Sequence, residues 1–247
     1  MIATKFHVIR DLKCEIVHYY NPEKNTSIKS NGRHFKVEVE DKSWYFLLPL
    51  SMPLIILSFF RISRRLFRLD KSNAVFTYKK DAVVVFYRGS VYRFDLNDKS
   101  ILKVGTLTNC RNVLHCGVAV TRGGIFLGEY GDNSGRDPVN VLASLDDGYT
   151  WSTIYQFPKG TIKHIHGVYF DPYSDRLWIS TGDFEGECFL ISSDYNFNDV
   201  IQYGDGTQKW RAVGLLFTEK EVIWAMDSPI EVSTIQRFDR KNGSLTQ

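Results

Sequence analysis

Half of the six histidines, His115, His164 and His166, stand where apolar runs begin, with carboxylates following a short way along the chain. Imidazole beside carboxylate is the equipment of acid–base catalysis and of divalent-metal binding. His164 and His166 are two residues apart, so on a strand they point to the same side and can share an ion with His115. Such a set suits zinc, manganese or iron better than calcium, so no cofactor is fixed by the sequence and a divalent metal is the one these residues could take. Asp183, Asp227 and Glu129 are the candidate catalytic carboxylates. His115, His166, Tyr130, Trp210 and Arg211 are the candidate ligand contacts, because sugars stack on aromatic faces beside fixed hydrogen-bonding groups. Asp132, Phe184, Glu185 and Glu187 fall at equivalent places. The ordinary reading of all these residues is that strand ends are polar because they meet water.

These residues need a scaffold that brings distant segments together, and a repeat supplies one. Three segments share a pattern of apolar run, polar turn, apolar run and carboxylate: Asn112–Glu129, Ile165–Asp183 and Ala212–Asp227. Each run is too short for a helix and rich in β-branched and aromatic residues. A second pair of runs follows each, with an acidic turn at Asp146, Asp194 and Asp239. Asp95 lies at the same place upstream, where Arg93-Phe94-Asp95 recurs as Arg237-Phe238-Asp239. Four strands about every fifty residues predict an all-β chain, a β-propeller of four-stranded blades. Blades are expected to begin near Asn73, Asn112, Lys163 and Arg211. The last reaches Gln247 part-way through its fourth strand. Phe6–Ile9, Cys14–Tyr20, Phe35–Glu40 and Ser43–Leu50 read as further strands, which would add a blade or complete the last one. In such a ring the first strand of each blade lines the axis. The loops entering it and leaving the second strand open on one face, where the histidines and carboxylates above would converge.

The turn Ser144-Leu145-Asp146-Asp147-Gly148-Tyr149-Thr150-Trp151 matches the Asp box, Ser-x-Asp-x-Gly-x-Thr-Trp. Ser144, Asp146, Gly148, Thr150 and Trp151 are therefore structural: a carboxylate to close the turn, a glycine for positive φ and an indole anchor. Ser192-Ser193-Asp194 begins a degenerate copy. Here the chain resembles the sialidase-like superfamily of Asp-box, or BNR-repeat, β-propellers. From about Leu57 onward it is similar to uncharacterised BNR-repeat, glycosyl-hydrolase-like proteins associated with polysaccharide gene clusters. That likeness is carried by Arg111–Gly117, Phe126–Gly131, His166–Tyr173 and Thr181–Asp183. It implies a glycan-associated propeller that binds a carbohydrate or small ligand, or acts as a scaffold, through its axial face. The alternatives are a glycoside hydrolase-like enzyme and a metal-dependent enzyme using the same residues. Sialidases present their first arginine from Phe-Arg-Ile-Pro. Here Phe60-Arg61-Ile62-Ser63 lacks the proline and lies in a helical segment, so true sialidase chemistry is not implied.

Bulk properties narrow the partners. A net charge of +3 on 247 residues is too small to suggest nucleic acid. An apolar share of 43% argues against disorder. Cys14, Cys110, Cys116 and Cys188 form no CxxC and read as free thiols in a reducing compartment, so a cytoplasmic setting is expected. Cys116 follows His115, but neighbours on a strand face opposite ways and make no dyad. Ser43–Phe60 carries no charge, yet Pro49 and Pro53 favour a strand, a turn and a helix over a membrane span. Leu54–Asp70 reads as one amphipathic helix, most clearly over 57–70, with Arg61, Arg64, Arg65 and Arg68 in a stripe. Peripheral membrane contact through that helix is one expected partnership. Self-association through an open propeller edge is another.

Overall fold

The computed structural model describes residues 16–69, 71–110 and 113–247. The chain divides into two compact units, residues 1–70 and 71–247. The expected strand at Phe6–Ile9, together with Cys14, Arg111 and Asn112, lies outside the described residues.

The first unit holds β1 (Ile16–Asn21), β2 (Thr26–Asn31), β3 (His34–Val39) and β4 (Lys42–Leu47), an antiparallel meander in chain order. The strand β2 was not visible to sequence reasoning because it is polar. Its Thr26, Ser27, Lys29 and Ser30 are buried nonetheless. Glu38 on β3 makes that burial possible. It accepts Lys29 Nζ at 2.6 Å and Ser27 Oγ at 2.7 Å. Lys36 adds a further bond at 2.5 Å. Burial pushes the Glu38 carboxyl up, but these bonds outweigh it and hold the group at about 2.

The single helix expected after β4 is two short ones, α1 (Met52–Ser58) and α2 (Arg61–Leu66). Phe60 breaks them apart with an extended backbone, φ −103° and ψ 132°. The Ser63 hydroxyl donates to the Leu57 and Phe60 carbonyls, tying the second helix to the end of the first. Arginines on two short helices do not form one continuous stripe. The Arg61 side chain lies outside the described residues, Arg64 donates to Asn31 Oδ1 at 2.6 Å, and Arg65 and Arg68 are exposed. Among the described residues, no helix is long and apolar enough to cross a membrane.

The second unit contains four more sheets. They are β5 (Ser72–Phe76) to β6 (Ala82–Tyr87), β7 (Ser90–Asp95) and β8 (Ile101–Thr106); then β9 (Val118–Thr121), β10 (Gly124–Gly128), β11 (Val139–Ser144) and β12 (Ser152–Phe157). Next come β13 (Ile165–Asp171), β14 (Arg176–Thr181), β15 (Cys188–Ser193) and β16 (Val200–Gly206). The last is β17 (Leu216–Phe217), β18 (Glu221–Ala225), β19 (Ile235–Asp239) and the two-residue β20 (Leu245–Thr246). Each is an antiparallel up-and-down meander. Burial declines toward the fourth strand: β6 is buried throughout, whereas β8, β12 and β16 are largely exposed.

Apolar side chains fill the space between successive sheets. Val84 and Phe86 meet Ile125 and Leu127; Phe126 and Val141 meet Val168 and Ile179; Trp178 and Leu190 meet Trp224 and Phe238. Each fully buried side chain of this kind stabilises by about 1.5–3 kcal/mol. Gly128 lets β10 lie against β13, since a Cβ there would stand 2.2 Å from Ile165 Cγ2.

The four repeating aspartates all close the turn between third and fourth strands. Asp95 Oδ1 accepts the Asn97 N–H at 2.8 Å, Asp194 Oδ1 the Asn198 N–H at 2.7 Å, and Asp239 Oδ1 the Lys241 N–H at 2.8 Å. Asp146 accepts from the Ser144 hydroxyl and the Thr150 N–H, each at 2.8 Å, and from the Thr150 hydroxyl at 2.7 Å. Gly148 has φ +92°, and a Cβ there would lie 2.6 Å from Val84 Cγ2 in the preceding sheet. The Trp151 ring meets Phe86 edge-on at 5.6 Å.

Candidate functional site

The site gathers around β13, and a bulge shapes it. The register with β14 slips between Ile165 and Gly167, so His166 is the extra residue. A bulge re-aims side chains. His164, just before the strand, and His166 stand with ring centroids 5.1 Å apart, both buried. Asp183 reaches them from the loop after β14. Its Oδ1 lies 3.2 Å from His166 Nε2 and its Oδ2 lies 3.4 Å from His164 Nε2. The ligand atoms of these three residues all fall within 4.8 Å of one another.

Each imidazole is fixed from behind. His164 Nδ1 faces the Gly131 carbonyl at 2.8 Å, and His166 Nδ1 faces the Ala212 carbonyl at 2.9 Å. Tyr130 tilts against His164, their ring centroids 4.4 Å apart. Asp183 is fixed as firmly. Arg211 donates to its Oδ1 at 2.8 Å and its backbone oxygen at 2.9 Å, and Lys163 donates to Oδ2 at 3.1 Å. Burial would raise the Asp183 carboxyl, but the His166 bond and the His164, Lys163 and Arg211 charges hold it well below the usual carboxylate range. A carboxyl held that low stays ionised and does not serve as a general acid. Burial lowers the His164 imidazole, against the opposing Gly131 bond and Asp183 charge.

Beside this group lies an open cleft of about 380 Å³. Glu129, Asp132, Asn133 and Asp137 come from the loop between β10 and β11, Asn109 from the loop after β8, and Lys163 and His164 from the approach to β13. Glu129 is buried and accepts the Asn140 N–H at 2.8 Å. Phe184 is exposed, with Lys163 Nζ 5.3 Å and the Arg136 guanidinium 5.0 Å from its ring centroid. Arg136 also donates to Glu187 at 2.7 Å.

The residues singled out from sequence divide accordingly. His164, His166, Tyr130, Asp183 and Arg211 come together, and Glu129 lies in the adjoining cleft. Asp227 is exposed, its Oδ2 3.6 Å from Arg211 Nη2. His115 is exposed in a turn, because β9 begins only at Val118, and it is not a member of the three-residue group. Cys116 shares that turn with φ +62°, so neither residue is on a strand. Trp210 offers no stacking face: it sits in a 3-10 turn and packs on Trp224 and Phe238 in the core. Lys163, Arg136, Asn109, Asn133 and Asp137 were missed. The turn-rich stretch Gly131–Pro138 signals the last two; the cations carry no distinguishing pattern in the chain. Burial raises the Cys188 thiol to about 11, so it stays protonated.

No family model matches this chain, and no curated protein matches it. Solved structures do. The dihydro-heme d1 dehydrogenase NirN, in complex with DHE, aligns at 13% identity and TM-score 0.56, covering 93% of this chain and 44% of that one. An ancestral GH74 enzyme aligns at 12% identity and TM-score 0.52, covering 94% and 32% respectively. A Bacteroides uniformis protein assigned as a 6-phosphogluconolactonase aligns at 14% identity and TM-score 0.51, covering 92% and 67%. The chain thus spans less than half of the first and about a third of the second. At such identities the likeness speaks for architecture only. These relatives are β-propellers, and with its successive four-stranded meanders this chain has the β-propeller fold.

Proposed function

We propose that this chain is a ligand-binding propeller whose cleft between the β9–β12 and β13–β16 sheets takes a polyhydroxylated ligand, a glycan or glycan fragment. The observation that carries the reading is the lining of that cleft. Three carboxylates, two amides, Lys163 and His164 converge on one opening. Sugar hydroxyls donate and accept at once, so they suit a surface that alternates carboxylate, amide and cation. Phe184 supplies an exposed ring beside Lys163. The closure of the Ser144–Trp151 turn by Asp146 supports the resemblance to Asp-box propellers, and with it a glycan setting.

The test is a screen of neutral and acidic oligosaccharides followed by calorimetric titration. At least one class should bind saturably, and Glu129→Gln and Asn133→Ala should each weaken it about tenfold, the loss of one hydrogen bond to a charged or fixed partner. Affinity unchanged in both folded variants would refute the cleft as the binding site.

A second surface supports a second, compatible role. Met52, Ile56, Ile62 and Leu66 on the two short helices, and Phe59 and Phe60 between them, are each more than half exposed. Arg65 and Arg68 lie among them. Exposed apolar side chains with neighbouring cations suit shallow contact with an anionic membrane surface.

A further inference from the structure

We propose that His164, His166 and Asp183 form a divalent-metal site, with zinc the ion best matched to their donors. A backbone carbonyl only accepts hydrogen bonds, so an imidazole nitrogen facing one must carry the proton. Nδ1 of His164 faces Gly131 O at 2.8 Å, and Nδ1 of His166 faces Ala212 O at 2.9 Å. In the neutral rings both Nε2 atoms are therefore lone pairs, and both point at the Asp183 carboxylate. Unless a proton or a metal cation is added, three acceptors then meet, with His166 Nε2 already within hydrogen-bonding distance of Asp183 Oδ1 at 3.2 Å. His164 carries the clearest mark of this: the residue is 4% exposed, and its buried Nε2 has no hydrogen-bond partner.

A cation resolves the conflict. A tetrahedral zinc ion with bonds of about 2.0–2.1 Å separates its ligand atoms by about 3.3 Å. The Nε2-to-carboxylate distances are of that size, 3.4 Å from His164 to Oδ2 and 3.2 Å from His166 to Oδ1, so an ion shared by both rings requires the carboxylate to turn one oxygen toward it. Two imidazoles and one carboxylate, with an open fourth position, form a familiar zinc donor set. The carbonyls behind both Nδ1 atoms provide the second layer that fixes tautomer and ring orientation. Lys163 must move: its ammonium, 3.1 Å from Asp183 Oδ2, competes with the ion for the same oxygen. Arg211 holds the other oxygen. Metal entry therefore displaces Lys163, whose long flexible stem permits it. The site thus differs from the trio read from sequence, with Asp183 in place of His115. It stands whether or not the neighbouring cleft binds a sugar.

The experiment uses the full, untagged chain, stripped with chelator and titrated with zinc by calorimetry and with cobalt by visible absorption. One equivalent of zinc should bind, and cobalt should show the intense bands of a tetrahedral site. His164→Ala and His166→Ala should each weaken binding by more than about a hundredfold, beyond the roughly 10–100-fold that loss of a second-layer contact costs. Lys163→Met should bind more tightly than wild type, a gain that a merely misfolded variant cannot produce. Glu185→Gln, an exposed carboxylate outside the trio, should bind as wild type. Absence of saturable binding by zinc or cobalt, or binding undiminished in both folded histidine variants, would overturn the proposal. So would weaker binding in Lys163→Met.

Discussion

At the residue scale, the chain separates two kinds of aspartate. Asp146 serves the fold: its carboxylate takes three hydrogen bonds that close one turn. Asp146→Ala should cost about 1–2 kcal/mol in chemical denaturation, since the turn is exposed and water replaces part of what is lost. Gly148→Ala should cost about 1–3 kcal/mol, because φ +92° is strained for any other residue and the new methyl meets Val84. Asp183 serves the site instead, held between two imidazoles and two cations. Which aspartate was which followed from position in the repeat. Which histidines met Asp183 was only partly legible. His164 and His166 flank the start of a strand that begins where expected. His115 precedes one that begins several residues late, so it falls in an exposed turn and outside the three-residue group. Trp210 looked like a sugar platform by type, yet its ring completes a cluster with Trp224 and Phe238. Packing of that kind is tertiary, and nothing local announces it.

At the element scale, β2 shows how a polar strand can be buried when one carboxylate serves its lysine and serine. Glu38 should make the first unit acid-sensitive in a defined window. Its carboxyl is lowered in the folded state, so its contribution is present above the ordinary carboxylate range, near pH 4.5, and is lost as pH falls toward about 2. Glu38→Gln should flatten that part of the pH–stability curve; an unchanged slope would show that Glu38 is not the group responsible. Reading one helix where there are two had a similar origin. The apolar and basic periodicity runs through Phe59–Phe60, while the extended backbone of Phe60 and the Ser63 hydroxyl decide the break. Met52 and Ile56 of the first helix and Ile62 and Leu66 of the second are exposed, and flotation with anionic vesicles at low salt should recover the protein. Flotation should weaken with added salt and in Arg65→Glu/Arg68→Glu; equal recovery on neutral vesicles would argue against the charge-assisted contact.

At the scale of the whole molecule, the propeller architecture was the part most open to sequence reasoning. A period set by turn aspartates at Asp95, Asp146, Asp194 and Asp239 survives wide variation in the strands between them. The fall in burial from the second strand of each sheet to the fourth makes a prediction for hydrogen exchange. Amides of β6, β10 and β14 should be the slowest in the second unit, and those of β8, β12 and β16 should exchange well before them. The cleft escaped the sequence because its walls come from three loops, at residues 108–109, 129–139 and 163–164, whose meeting depends on how neighbouring sheets pack. Its use as a binding site is the central claim, and calorimetry of an oligosaccharide identified by the screen tests it most directly. Saturable binding by the wild type, weakened about tenfold in folded Glu129→Gln, is the predicted result; no oligosaccharide bound by the wild type, or equal affinity in the two proteins, would contradict it.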